Sequence, residues 1–160
     1  METTIRPIQG REEIDACARM MAGSEPWITL QRDYDASLQT LTSPGKEVYV
    51  ATCGNQILGF IILNMQGGFT GYIQSIGVAP QCRSRGIGRR LVAYAEERIF
   101  REAPNVFICV SSFNPDAQRF YRSLGYEAIG ELKDFVVRGH SEILLRKTIA
   151  PWREFKKRSA

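Results

Sequence analysis

The sequence is poor in the residues that hold metals or staple a chain. It has one histidine, His140, and its four cysteines, Cys17, Cys53, Cys82 and Cys109, form no Cys-x-x-Cys pair. A histidine-rich metal site is excluded, and neither a zinc site nor a disulfide frame is indicated. Three of the cysteines sit in otherwise apolar stretches, as reduced thiols packed like small hydrophobes do, so a cytoplasmic location and no metal are expected. No apolar run approaches the roughly 20 residues that a membrane span needs. The N-terminus lacks the basic-then-apolar pattern of a secretion signal, and no membrane partner is expected. No Gly-Lys-Ser/Thr triplet occurs, which removes the eight-residue P-loop.

What is present suits one globular domain. The 160 residues can bury a real core, and 44% are hydrophobic against 24% charged. We expect a single domain over residues 3–149 and a basic tail over 150–160. The net charge of +4 is unevenly spread. Arg83, Arg85, Arg89 and Arg90 cluster at one loop, while Arg153, Lys156, Lys157 and Arg158 lie in the tail and read as a solvated run. Neither cluster has the interleaved aromatics of a nucleic-acid platform, so no nucleic-acid partner is expected.

The first arginine cluster falls in the most informative stretch, Gly77 to Leu91. An apolar, β-favouring run, Tyr72 to Val78, precedes it, and a helical pattern follows. The loop between them opens into a helix N-terminus, where unpaired backbone N–H groups and the macrodipole favour an anion. Gly86 and Gly88 lack Cβ atoms, so a bulky phosphate can approach the main chain. Arg83, Arg85 and Arg89 can add charge-assisted hydrogen bonds. The stretch reads as a pyrophosphate cradle; a basic turn that merely caps a helix is the plainer alternative. It is no dinucleotide fingerprint, because Leu91 stands where that pattern needs a third glycine.

Periodicity supplies the rest. Thr3 to Ile8 predicts a strand, Arg11 to Met21 a helix, and Trp27 to Leu41 a second helix. Glu47 to Cys53 and Gln56 to Met65 predict a hairpin around Gly54-Asn55. Gly71 to Val78 follows as a strand, then a helix from Ile87 to about Glu102. Val106 to Val110 is apolar enough for a strand buried on both faces. Asn114-Pro115-Asp116 opens a helix with a cap, a proline at the first position and an acid in the first turn. Gly125 suits its end. Tyr126 to Leu132 and Ser141 to Ile149 are the last strands. The order is β-α-α-β-β-β-α-β-α-β-β, an α/β fold with a mixed sheet.

Two motifs carry a resemblance. Arg83-Ser84-Arg85-Gly86-Ile87-Gly88 resembles motif A, Arg/Gln-x-x-Gly-x-Gly/Ala, of the GCN5-related N-acetyltransferases, the GNAT family. Asn114-x-x-Ala117-x-x-Phe120-Tyr121-x-x-Leu124-Gly125-Tyr126 resembles the family's motif B. Together with the strand order, the resemblance covers residues 3 to 149. It implies a splayed pair of central strands with acetyl-CoA as co-substrate in the gap. The pantetheine amides would then pair with main-chain groups there. Ile76, Gly77, Val78, Arg83, Ser84, Arg85, Gly86, Ile87, Gly88, Arg89, Asn114 and Tyr121 are the cofactor-binding residues that it implies. Phe120, Leu124 and Tyr126 read as core, Asn114 as both helix cap and cofactor contact, and Tyr121 as the catalytic acid rather than a core tyrosine.

The implied reaction is attack by a primary amine on the thioester. A backbone N–H near Ile76 to Val78 would receive the charge on the carbonyl oxygen, and Tyr121 would protonate the departing sulfur. Relatives with a clear general base carry a glutamate on the central strand or the next one. Tyr72 to Ile76 and Phe107 to Ser111 hold no carboxylate. Asp33, Glu142, His140 or ordered water are left for that role, while Cys109 reads as a buried thiol and not a nucleophile. Trp27, Tyr34 and Phe135 could wall an acceptor pocket, and Arg32 could hold a carboxylate. The expected acceptor is a small amine or amino-acid-like molecule, with a homodimer among the expected assemblies. A protein N-terminus, as in bacterial ribosomal-protein acetyltransferases, and a non-catalytic acyl-CoA-binding module are the alternatives.

Overall fold

A computed structural model describes residues 2–157, so Arg158 of the basic tail lies outside the described residues. In chain order the elements are β1 (Thr4–Pro7), α1 (Gly10–Ala22), α2 (Tyr34–Thr42), β2 (Lys46–Cys53), β3 (Gln56–Asn64), β4 (Tyr72–Val78), α3 (Ile87–Phe100), β5 (Asn105–Ser111), α4 (Pro115–Ser123), β6 (Glu127–Lys133) and β7 (Ser141–Thr148). A short 3₁₀ turn, Pro80–Cys82, precedes α3. The order matches the one predicted from periodicity. The strands form one mixed sheet in the spatial order β1-β2-β3-β4-β5-β7-β6. Among the described residues, no helix is long and apolar enough to cross a membrane.

β2 and β3 are apolar along their middle because both faces of the sheet are covered there. Val48, Val50, Phe60 and Ile62 pack with Cys17, Ala18 and Met21 of α1 and Leu41 of α2. Their neighbours Tyr49, Ala51, Ile61 and Leu63 point the other way, onto Leu91, Val92, Ala95 and Ile99 of α3. The strand period of two thus splits one apolar run between two helix layers. Fully burying a side chain of this size contributes roughly 1.5–3 kcal/mol, so these two layers are the main source of stability.

One predicted helix is shorter than its periodicity suggests. Trp27 to Gln31 forms turns and not the first part of α2. Arg32 N–H donates to Trp27 O, and Gln31 stands at φ 56°, which interrupts any continuous helix. The helix starts where Asp33 caps it, its Oδ1 accepting the Ala36 N–H at 2.9 Å. The segment before the cap is thereby free to fold over the end of β4, with Trp27 tilted against Phe60 at 6.0 Å between ring centres.

The central strands part. β4 pairs with β5 in parallel at two positions only, Tyr72 with Phe107 and Ile73 with Ile108. Gly71 tightens the closed end: its φ is +90°, its O accepts the Phe107 N–H, and a Cβ there would stand 2.4 Å from Asn105 O. Gln74 is skipped at a bulge, and from Ser75 onward β4 keeps its antiparallel partner β3, up to Val78 opposite Gly59, but has none in β5. Beyond Ile108, β5 pairs on its other side with β7, as far as Ser111 opposite Glu142.

Candidate active site

Two cavities meet at this gap. The first, about 650 Å³, is walled by Ile76, Gly77 and Val78 of β4, by Arg83, Ser84, Gly86, Ile87, Gly88 and Arg89, and by Asn114 and Tyr121. Those are all but one of the cofactor residues predicted from the motifs. Arg85 is exposed and stands outside this wall. Arg90 also turns away, its guanidinium donating to Thr3 O at 2.7 Å, so the cluster of four arginines contributes Arg83 and Arg89 to the cavity.

The loop has the form that an anion site needs. Gly86 caps α3 in the left-handed region at φ 79° with open space where a Cβ would sit. A Cβ on Gly88 would make only ordinary contact, 3.6 Å from Phe120, so the glycine is not required by protein packing. Its absent side chain leaves space in front of the first N–H groups of α3, which have no partner within the helix. A diphosphate fits that combination of free donors, clearance and two arginines.

The second cavity, about 360 Å³, lies across β4 and β5 and is lined by Trp27, Arg32, Lys46, Tyr72, Gln74, Ile76, Cys109, Ser111, Asn114, Tyr121, Phe135 and Glu142, among others. Trp27, Ile76, Asn114 and Tyr121 belong to both cavities and mark the passage between them. Asn114 caps α4, its Oδ1 accepting the Ala117 N–H at 3.2 Å, and faces both spaces while doing so.

Tyr121 is 2% exposed and its ring lies between Phe120 and Tyr126, centroids 5.1 and 5.2 Å away. Its hydroxyl is buried without a hydrogen-bond partner. Burial first, and the nearby Glu96 carboxylate second, raise its pKa well above that of free tyrosine. It therefore stays a neutral phenol at neutral pH.

Of the three side chains considered for the base, two do not stand on this wall. Asp33 is spent on the α2 cap, and His140 packs edge-on against Phe113 at 4.9 Å. Tyr34 is also absent from the pocket it was expected to line, because its hydroxyl donates to Asp15 Oδ1 at 2.6 Å. Glu142 is on the wall, 5% exposed, with Oε2 unpartnered. Burial raises its pKa, opposed by Ser111 and by the charges of Arg32 and His140. Ser111 Oγ is close enough to favour the carboxylate, yet its own hydrogen-bonding capacity is unused.

Cys109 was expected in the core; it is half-buried and faces the second cavity beside Tyr72. Burial raises its pKa, so it is a neutral thiol and not an activated nucleophile. Tyr72, Gln74 and Ser111 were missed from the sequence. The signal was there: Tyr72, Gln74 and Ile76 alternate along β4, so a strand period of two puts two polar side chains on one face of the strand.

The comparisons with known proteins agree with this geometry. Residues 12–126 match the family model for the acetyltransferase (GNAT) family. The chain is 30% identical over 116 residues to the N-alpha-acetyltransferase RimI of Mycobacterium tuberculosis, covering 71% of this chain and 69% of that one. It is 34% identical over 101 residues to an uncharacterized N-acetyltransferase of Methanocaldococcus jannaschii, covering 62% and 64% of the two chains. In fold it is similar to an aminoglycoside 6′-N-acetyltransferase solved with coenzyme A, with a TM-score of 0.76, 21% identity and coverage of 92% and 98%. It is likewise similar to Arabidopsis thaliana NAA60 solved with acetyl-CoA, with a TM-score of 0.75, 16% identity and coverage of 92% and 99%. A family match across most of the chain, on a fold whose central strands part beside a glycine-arginine loop, settles the assignment: the chain belongs to the GNAT family of acetyl-CoA-dependent N-acetyltransferases.

Proposed function

We propose that the protein moves an acetyl group from acetyl-CoA to the primary amine of a small, amino-acid-like molecule, by direct attack within a ternary complex. The observation that carries this reading is the meeting of two cavities at the β4–β5 gap, with the orphaned Tyr121 hydroxyl at the passage. The larger cavity suits the coenzyme, and the smaller suits the amine. Holding amine and thioester together is worth about 7–11 kcal/mol, and a well-placed proton donor about 10²–10⁴-fold, so confinement supplies the larger share. Ile76 and Val78 offer main-chain N–H groups on the open edge of β4 for the charge on the carbonyl oxygen, the Gly77 N–H facing β3, and Tyr121 gives its proton to the leaving sulfur. No metal has a part in this reading, and a cytoplasmic location belongs to it.

Charge argues for the acceptor class. The wall of the smaller cavity carries Arg32 and Lys46 against one acid, Glu142. A polycation such as an aminoglycoside or a polyamine meets net repulsion there, whereas an amine that also bears an anionic group finds a counter-charge in Arg32. A protein N-terminus is the second reading, supported by the identity to RimI over most of this chain.

The test is release of free CoA from acetyl-CoA with a panel of amino acids, simple amines, polyamines and ribosomal-protein N-terminal peptides. Turnover should be highest with amino-acid-like acceptors. Tyr121→Phe should lower kcat about 10²-fold with acetyl-CoA affinity changed less than about twofold. Wild-type turnover by the Phe variant removes Tyr121 from the mechanism, and preference for the peptides replaces the first reading with the second.

A further inference from the structure

Buried polar atoms in folded proteins almost always have a partner, and exceptions need an explanation. Four such exceptions share the wall of the smaller cavity; with the Tyr121 hydroxyl already assigned to the leaving sulfur, three are left for the acceptor: Gln74 Oε1 on β4, Ser111 Oγ on β5 and Glu142 Oε2 on β7. Each can accept a hydrogen bond, and one is a carboxylate oxygen. A primary ammonium group carries three N–H donors and no acceptor. The number and type of unused groups match.

We propose that Glu142 is the general base of the reaction: with Gln74 and Ser111 it seats the acceptor's ammonium group, and it takes the proton that must leave before nitrogen can attack. This rests on the acetyltransferase reading above.

The alternatives on the same wall fail on chemistry. The Tyr72 phenol and the Cys109 thiol both have pKa values raised by burial, so each holds its own proton at neutral pH and cannot take another. Glu142 is not spent on structure either. Among the described residues it has no ion pair, although Arg32 from the α1–α2 connection and His140 from the β6–β7 connection lie near enough to favour its charge. The other groups facing it are Ser111 and Cys109 on β5 and Tyr72 on β4. Burial outweighs these influences and strengthens Glu142 as a base.

The protons balance. The ammonium gives one proton to the Glu142 carboxylate, and the nitrogen lone pair forms the C–N bond as the C–S bond breaks. Tyr121 gives its proton to sulfur, and the second proton leaving nitrogen restores the Tyr121 phenol. The proton on Glu142 goes to solvent when the products leave.

The test uses Glu142→Gln, which keeps shape and removes basicity, and Glu142→Asp as a conservative rescue. Two nucleophiles are compared: the best alkylamine or amino acid of the panel, and methoxyamine, which is already neutral at pH 7. Glu142→Gln should lower kcat/KM for the first about 10²-fold at pH 7 and for methoxyamine less than about threefold. The loss should shrink as pH approaches the amine's own pKa. Equal losses for both nucleophiles, or none, overturn the proposal. Carbon-13 NMR of the glutamate carboxyl groups reads the same point without turnover. One signal, absent from Glu142→Gln, should titrate above the ordinary range and move down when propylammonium is added to saturation. A midpoint that propylammonium leaves unmoved also overturns it. If no amine releases CoA, the acetyltransferase reading fails on its own, and the titration still decides whether Glu142 holds an amine.

Discussion

Glu142 and Tyr121 are costly residues for their positions, and the cost has a measurable sign. A buried carboxylate whose folded pKa lies above its unfolded value binds its proton more tightly in the native state. Its contribution to stability is therefore fully present below the unfolded value, near 4.3, and is lost as pH rises through the folded one. Glu142→Gln, neutral at every pH, should melt higher than wild type at pH 7–8 and show little gain near pH 4. Each kcal/mol relieved is worth roughly 2–4 °C in a chain of this size. Thermal scans at the two pH values check this, and no gain at neutral pH would mean that the charge is compensated. The roles of single residues were only partly legible in the sequence. Tyr121 and the glycines stand in fixed motifs and could be read. The ranking of Asp33, His140 and Glu142 could not, because only the register of β7 against β5 turns Glu142 inward while capping draws Asp33 away.

At the scale of elements, α4 and the loop before α3 each serve twice. Asn114 fastens the first turn of α4 and faces both cavities, so Asn114→Ala should lower stability by about 0.5–2 kcal/mol and also weaken acetyl-CoA binding. Asn114→Asp, which keeps the cap, should recover the stability in urea titrations but not the binding, since it puts a negative charge at the passage. Gly88→Val separates the two roles at the loop. A Cβ there makes only ordinary contacts, with Phe120 and Val78, so stability should change by less than about 1.5 kcal/mol, while KM for acetyl-CoA should rise at least tenfold as the branched group enters the space before the helix N-terminus. Strand and helix order could be read from periodicity because two covered faces impose strong patterns. The error over Trp27 to Gln31 has a local cause. Apolar residues spaced by three and four also suit a chain that drapes over a sheet end, and a single left-handed residue, Gln31, with the Asp33 cap two residues later, decides between them.

Across the whole molecule, acetyl-CoA at 100 times its Kd should stabilise the fold by about 2.7 kcal/mol, or roughly 5–10 °C in a melting scan. A shift absent at saturating coenzyme would contradict the assignment of the larger cavity. This level was the most legible of all, since motif A, motif B and the strand order repeat one another's message. What the sequence does not carry is the depth of the gap, because Gln74 to Val78 reads as an unbroken strand and nothing local says that its neighbour has turned aside.

That gap makes the sheet two panels, β1-β2-β3-β4 and β5-β7-β6, joined through two residue pairs near Gly71. Both panels also rest on α3, and at the open end the amides of Ile76 and Val78 on one lip have no strand partner in the apo protein and should exchange with deuterium ahead of the strand centres. A pantetheine arm laid between the lips would stitch them, so the coenzyme is in effect a removable eighth strand whose arrival sets the spacing at which the amine can reach the thioester.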